Sequence, residues 1–353
     1  MRPARALIDL AALRHNYLLA RERHRGRALA VVKANAYGHG ALACARALAG
    51  VADGFAVACL EEAESLREGG IDAPILLLEG VFEPAELARV DALGLWLVVH
   101  HASQLEMLSG FTPSRPLDVW LKFNTGMNRA GFAPSRAREL YASLAGDARI
   151  GALVMMTHLA RADEPDCDAS IAQWRRFHDA VEQIPAPCSI CNSAGILGWP
   201  QIHADWARPG IMLYGADPMP GEGHGLRPVM TLESRIIAVR DLHPGDAVGY
   251  GARFVADAPR RIGLVAIGYA DGYPRAVPDG TPVAVDGRPS RILGRVSMDM
   301  LTVDLQGLDV GQGSTVELWG GQVAVNRIAE AAGTIAYELL CNVKRVRFEY
   351  SGD

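Results

Sequence analysis

Between residues 28 and 215, eight short apolar runs alternate with segments patterned as helices, and no other feature of the chain limits its fold as tightly. The runs are "ALAVVK", "GFAVAC", "APILLLE", "LWLVVH", "LDVWLKF", "IGALVMMTH", "CSICNS" and "ARPGIMLYG". Between them, segments such as "SIAQWRRFHDAVEQI" set apolar residues three and four apart with charges elsewhere, the spacing of a helix with one buried face. Strands that are apolar throughout need cover on their outer face, which a parallel sheet with crossover helices supplies. Eight such units predict a closed (β/α)8 TIM-type barrel over residues 1–228. The rival is an open doubly wound sheet, but no GxGxxG opens a helix here.

After residue 228 the texture changes. "MTLESRIIAVRDLHPGDAVGYGARF" and "TPVAVDGRPSRILGRVSMDMLTVDL" are short β-branched runs broken by Gly, Pro and the Asp286-Gly287 turn. They predict a C-terminal mainly-β domain over residues 229–353, with a short helix at "NRIAEAAG". The opening "RALIDL" is a ninth strand outside the barrel count, and a candidate partner for the second domain.

Composition narrows the functional classes. The 353 residues are 50% hydrophobic, ample for a large core and two domains. A formal net charge of −5 without a basic block argues against nucleic acid as a partner. No run of about 18 apolar residues suggests a membrane span, and Asp9 and Arg14 interrupt any leader-like stretch at the start. Six irregularly spaced cysteines suggest reduced thiols in the cytoplasm. Cys188 and Cys191 form a CxxC, but no second pair or nearby histidine completes a metal tetrad. Both read as buried thiols, and no metal is expected.

Active sites of such barrels form at the C-terminal ends of the strands. Lys33 ends the first run, Lys122 lies near the end of the fifth, His158 ends the sixth, Ser193 the seventh, and Arg208 with Gly210 sits in the eighth. Desolvation favours the neutral, nucleophilic amine of a lysine, which covalent attachment of pyridoxal phosphate (PLP) requires. The loops after strands seven and eight commonly hold phosphate, and here they offer Ser193 and the backbone N–H groups of Gly210 and Ile211.

At this point the motifs are recognisable. "AVVKANAYGHG", "LKFNTGMNRAGF", "THLA", "CNSAG", "ARPGIMLYG", "VGYGARF", "IGYADGYPR", "GRVSMDM" and "GTIAYELLC" together closely resemble bacterial alanine racemases, in order and over essentially the whole chain. The resemblance implies a PLP-binding barrel plus a β domain. It implies that Lys33 carries the cofactor and acts as one catalytic base, with Tyr250 as the base on the opposite face. Inverting Cα needs two such groups, each tuned by its surroundings, and His158 and Arg208 are the tuners implied. Arg208 matches the residue facing the pyridine nitrogen, and it keeps its own proton. Tyr37 and Tyr337 match phosphate-contacting tyrosines, alongside Ser193, Gly210 and Ile211. Arg129 matches the group that meets the substrate carboxylate, and Lys122 a lysine often carbamylated in the family. Met298 and Asp299 match residues supplied by a partner subunit, and Tyr269 an entrance-lining tyrosine. His39 and His101 have no role in this scheme and read as solvated or capping.

The expectation is therefore a cytoplasmic, PLP-dependent alanine racemase, acting on alanine as a homodimer with sites at the subunit interface. Three rivals stand beside it. They are a broad-specificity racemase, a PLP amino-acid decarboxylase of the same fold (fold type III), and a non-catalytic PLP-carrier protein built as a barrel alone.

Overall fold

The structure, a computed structural model, describes residues 2–219, 221 and 223–352. Strand β1 (Arg5–Asp9) leads into a helix, Leu10–His24, whose N-terminus is capped by the Asp9 carboxylate accepting from Ala12 N–H. The barrel strands follow: β2 (Arg27–Ala28), β3 (Ala30–Val31), β4 (Phe55–Val57), β5 (Ile75–Leu77), β6 (Trp96–Val99), β7 (Leu117–Lys122), β8 (Ile150–Met156), β9 (Cys188–Ser189) and β10 (Trp206–Ala207). They pair in parallel in the order β2-β10-β9-β8-β7-β6-β5-β4-β3. The nine segments fill eight positions, because "ALAVVK" is divided at Leu29 between two neighbours. β2 pairs with β10 and β3 with β4, so the first position closes the ring.

The lumen is plugged by side chains. Trp206 packs edge-on against Trp96 and Trp120, with ring centres 5.7 and 5.6 Å away, and the Arg27 guanidinium lies 4.0 Å above the Trp206 ring. Trp120 and Lys122 share one face of β7, since side chains alternate along a strand. The apolar floor and the polar mouth therefore come from the same strand.

The second sheet is built around a long strand, β11 (Met230–Leu242). Its first half pairs with β1 and with Thr315–Trp319, and its second half with Arg260–Val265, the register shifting between Ile236 and Ala238. β1 also runs parallel to Arg347–Ser351, so the opening strand belongs to this sheet. Asp286-Gly287 turns the Pro282–Val285/Arg288–Arg291 hairpin with φ of 45° and 74°, as Asp-Gly in a two-residue turn should. The expected helix spans Val325–Ala332, and a second, Ala336–Cys341, follows it. Among the described residues, no helix is long and apolar enough to cross a membrane.

Candidate active site

Beyond β3 the chain does what its residue types disfavour. Ala34, Asn35, Ala36 and Tyr37 all have φ between 51° and 54°, a left-handed turn without a glycine. Such backbone costs roughly 1–2 kcal/mol per residue, so its surroundings must hold it. Ala34 N–H donates to Glu62 Oε1 at 2.6 Å, and Gly40 N–H to the Asn35 carbonyl at 2.9 Å. His39 Nδ1 lies 3.0 and 2.9 Å from the carbonyls of Ala36 and Tyr37. Two carbonyl acceptors require the Nδ1–H tautomer. The His39 ring is fully buried and stacks on Tyr214, 4.5 Å between centres, while Tyr214 Oη donates to the Val31 carbonyl at 2.8 Å. His39 is thus a cap, as one of its two expected readings had it, and it is not solvated. His101 caps too, accepting from Ser103 N–H at the start of helix Ala102–Ser109. Gly38, at φ 81°, lets the helix Ala336–Cys341 sit directly on the turn; a Cβ there would fall 2.2 Å from the Leu340 carbonyl oxygen.

Burial lowers the His39 pKa to about 4. Its folded value lies below the unfolded value of about 6.5, so between those limits the unfolded chain binds the extra proton. Stability should therefore fall as pH drops from about 6.5 to about 4, by up to roughly 3 kcal/mol from this group. Urea midpoints across that range should show the loss, and His39→Gln should flatten the slope.

The turn forms one wall of a cavity of about 630 Å³ at the C-terminal mouth of the barrel. Lys33, Tyr37, Lys122, Arg129, His158, Ser193, Arg208, Gly210, Ile211 and Tyr337 all line it. The strand-end residues thus converge, although Lys33 and His158 stand two residues past their strands. Arg208 is buried; Nη2 donates to the Thr157 and Ile190 carbonyls at 2.6 and 3.3 Å, and Nη1 donates to Ser189 Oγ. Nη2 also lies 3.4 Å from His158 Nδ1. Burial, then the cations Arg208, Lys122, Arg129 and Lys33, hold His158 well below the usual histidine pKa, so its ring is neutral and accepts. Burial lowers Arg208 to about 10, leaving it charged at neutral pH. Burial and the neighbouring cations lower Lys122 to about 8. Ser193 Oγ accepts from Gly210 N–H at 2.9 Å and Met212 N–H at 3.3 Å, gathering backbone donors at one edge. At Gly210 a Cβ would fall 2.5 Å from Tyr37 Oη, so the tyrosine closes directly over that edge.

Four expected residues are elsewhere. Tyr250, Tyr269, Met298 and Asp299 do not line this cavity in the same chain. Tyr250 sits at the tip of the Ala247–Val248/Phe254–Val255 hairpin and is 68% exposed. Tyr269 and Met298 are exposed as well. Tyr269 N–H donates to the Ser297 carbonyl at 3.1 Å and Ala270 N–H to the Met298 carbonyl at 2.9 Å, which puts the two segments side by side. Asp271, fully buried and paired with Arg2, anchors the turn that carries Tyr269. Within one chain Arg208 therefore helps hold down His158 and Lys122, while Tyr250 stands outside the cavity that these residues line.

The same two halves recur in known proteins. Residues 8–218 match the model of the alanine racemase N-terminal domain, and residues 229–350 that of its C-terminal domain. The chain belongs to the alanine racemase family. It is 65% identical, over all 353 residues and the full length of both chains, to the alanine racemase of an Azoarcus species. The crystal structure of the biosynthetic alanine racemase from Pseudomonas aeruginosa superposes with a TM-score of 0.96 at 47% identity, covering 99% of this chain and 100% of that one. A second, of alanine racemase from Bartonella henselae with covalently bound pyridoxal phosphate, gives a TM-score of 0.90 at 30% identity, with 99% and 100% covered.

The activity is that of an alanine racemase, interconverting L- and D-alanine, in a family of PLP-dependent isomerases. A C-terminal domain matched over residues 229–350 sets aside a carrier built as a barrel alone, and full-length racemase relatives set aside the decarboxylase. Sequence reasoning missed Glu79 and His100, which also line the cavity. Both end runs in the alternating pattern, "APILLLE" and "LWLVVH", so the strand-end rule that found the others pointed to them too. It also missed Ser189, whose hydroxyl accepts from Arg208 and donates to the Trp206 carbonyl at 2.9 Å.

Proposed function

We propose that Lys33 holds PLP covalently in this cavity, and that Lys33 and Tyr250 move the proton on opposite faces of the substrate's Cα. The observation that carries the reading is the donor set. Lys33, Lys122, Arg129 and Arg208 converge on one cavity with Ser193, Tyr37 and Tyr337, which suits a phosphate-bearing aldehyde and an amino-acid carboxylate. When bound, the cofactor supplies an electron-withdrawing system that makes the Cα proton removable. Ser193, Gly210, Ile211, Tyr37 and Tyr337 hold its phosphate. Arg129 meets the substrate carboxylate. At pH 7 about a tenth of Lys122 is neutral, from its pKa of about 8, and the neutral amine is the form that takes up carbon dioxide. A carbamate on Lys122 would face Arg129 as an anion and orient it.

Tyr250 reaches a site only by crossing to another subunit, so the working unit is a homodimer. Tyr269, Met298 and Asp299 stand on the same domain and complete the partner's entrance. The division between the two domains falls at residues 228 and 229, with β1 lent to the second. All six cysteines are free, in keeping with a reducing cytoplasm. The direct test is borohydride reduction followed by peptide mass mapping. The adduct is expected on the peptide containing Lys33, and an adduct on Lys122 would overturn the assignment.

Arg208 offers only donors and stays charged, so it leaves an opposing basic nitrogen unprotonated. Arg208→Glu reverses this, since a carboxylate favours a proton on the group beside it. The variant is expected to racemise alanine more slowly and to form more pyruvate by transamination, measured with lactate dehydrogenase. Unchanged partitioning between the two products would place Arg208 away from the ring.

A further inference from the structure

Behind the cavity wall, three groups far apart in sequence meet. One ring nitrogen each from His24 and His203, and the Cys191 thiol, lie within 4.8 Å of one another. His24 ends the helix Leu10–His24, Cys191 follows β9, and His203 follows the short turn Pro200–Ile202. His24 is 2% exposed, yet neither of its ring nitrogens makes a hydrogen bond. The Ala204 carbonyl lies near enough to offset part of the burial effect on this ring, but without hydrogen-bond geometry. Buried polar atoms are nearly always paired, so two orphaned nitrogens on one ring ask for a ligand. His203 Nε2 lies 3.3 and 3.2 Å from the carbonyls of Gly195 and Ile196. The His24 backbone carbonyl also lies against this ring; an N–H donated to these carbonyls fixes the neutral ring, whose other nitrogen keeps a lone pair. The Cys191 thiol makes one weak contact, 3.8 Å to the Ile202 carbonyl.

We propose that His24, Cys191 and His203 form a binding site for a zinc-class divalent ion. Two imidazoles and one thiolate are a nitrogen–sulfur set of the kind such ions prefer, with a fourth position left for water or a carbonyl. A thiol is mostly protonated at neutral pH, so the ion must displace the proton of Cys191. The thiol S–H bond breaks, a sulfur–metal bond forms, and one proton leaves per ion bound. The CxxC spacing contributes only one of its thiols, because Cys188 Sγ turns to the Ala186 carbonyl at 3.7 Å. The site also touches the cavity wall from outside. Arg208 N–H donates to the Cys191 carbonyl at 2.9 Å, and His203 holds two carbonyls of the helix Ser193–Gly198. An ion here would therefore stiffen the wall that presents Ser193 and Arg208.

Cobalt(II), added to the full-length holoenzyme without substrate, is the probe. One ion per chain is expected, with near-ultraviolet thiolate-to-cobalt absorption, release of one proton, and displacement by zinc. Cys191→Ser should remove the absorption, His24→Gln should weaken binding by more than about tenfold, and Cys188→Ser should change neither. No thiolate absorption from the unsubstituted enzyme, or absorption that survives Cys191→Ser, would overturn the proposal.

Discussion

Lys33→Ala is expected to abolish the conversion of L-alanine to D-alanine and to remove all borohydride-reducible cofactor. Loss of a general base alone typically costs about 10²- to 10⁴-fold. Here the same side chain is also the proposed covalent anchor, so activity should fall past the upper end of that range, below detection by chiral chromatography. The cavity itself supplies the competing outcome. Lys122 lines the same mouth, and its amine is lowered to about 8 by burial and by Arg208, Arg129 and Lys33. A variant that still fixes PLP after reduction would show that Lys122, or another lysine, carries it.

Tyr250→Phe should keep the cofactor and lose about 10²- to 10⁴-fold in activity, since only a hydroxyl on an exposed hairpin tip is removed. The more telling result comes from mixing the two variants. If Tyr250 serves the partner's cavity, a mixed dimer has one site with both lesions and one with neither. Random pairing makes about half of the dimers mixed, each with one intact site of two, so about a quarter of wild-type activity should return. If both residues served the same chain's site, every site would keep one lesion and nothing would return. Native mass spectrometry must show that mixed dimers form. An inactive mixture containing them would rule out a shared site, and with it the partner roles given to Tyr269, Met298 and Asp299.

The barrel was legible because most of its strands are continuous apolar runs and helices such as Ala169–Val181 keep the three-and-four spacing. Residues placed by strand ends, such as Lys122 and Arg208, then had to meet at one mouth. The division of the first strand at Leu29 was not legible. It reflects ring closure, which depends on where β10 and β4 lie and not on any property of "ALAVVK". The left-handed turn was hidden for a related reason. "ANAY" contains only one residue, Asn35, that readily takes positive φ, and the groups holding the turn, Glu62, His39 and Tyr214, come from elsewhere or lie after it. Tyr250 is a different case, because nothing in one chain's periodicity says which cavity an exposed hairpin serves. Only the family resemblance suggested that role. The meeting of His24, Cys191 and His203 was equally out of reach, since it depends on how three elements pack.

The first strand also has a history during synthesis. Arg5 pairs with Arg347, 342 residues later (347 − 5), and Glu233, its neighbour on the other side, is itself made only after the whole barrel. At about 5–20 residues per second, β1 waits tens of seconds on the ribosome before its last neighbour exists. Ala6 and Ile8, fully buried at the end, stay uncovered meanwhile on an unpaired edge, which is where nascent chains associate wrongly. The barrel can close in that interval without them, so the two ends of the chain are joined last. A circular permutant that places Arg347–Ser351 ahead of Arg5, through a linker long enough to cross back between parallel strands, would give β1 that neighbour within seconds and leave only its β11 edge to wait for the barrel.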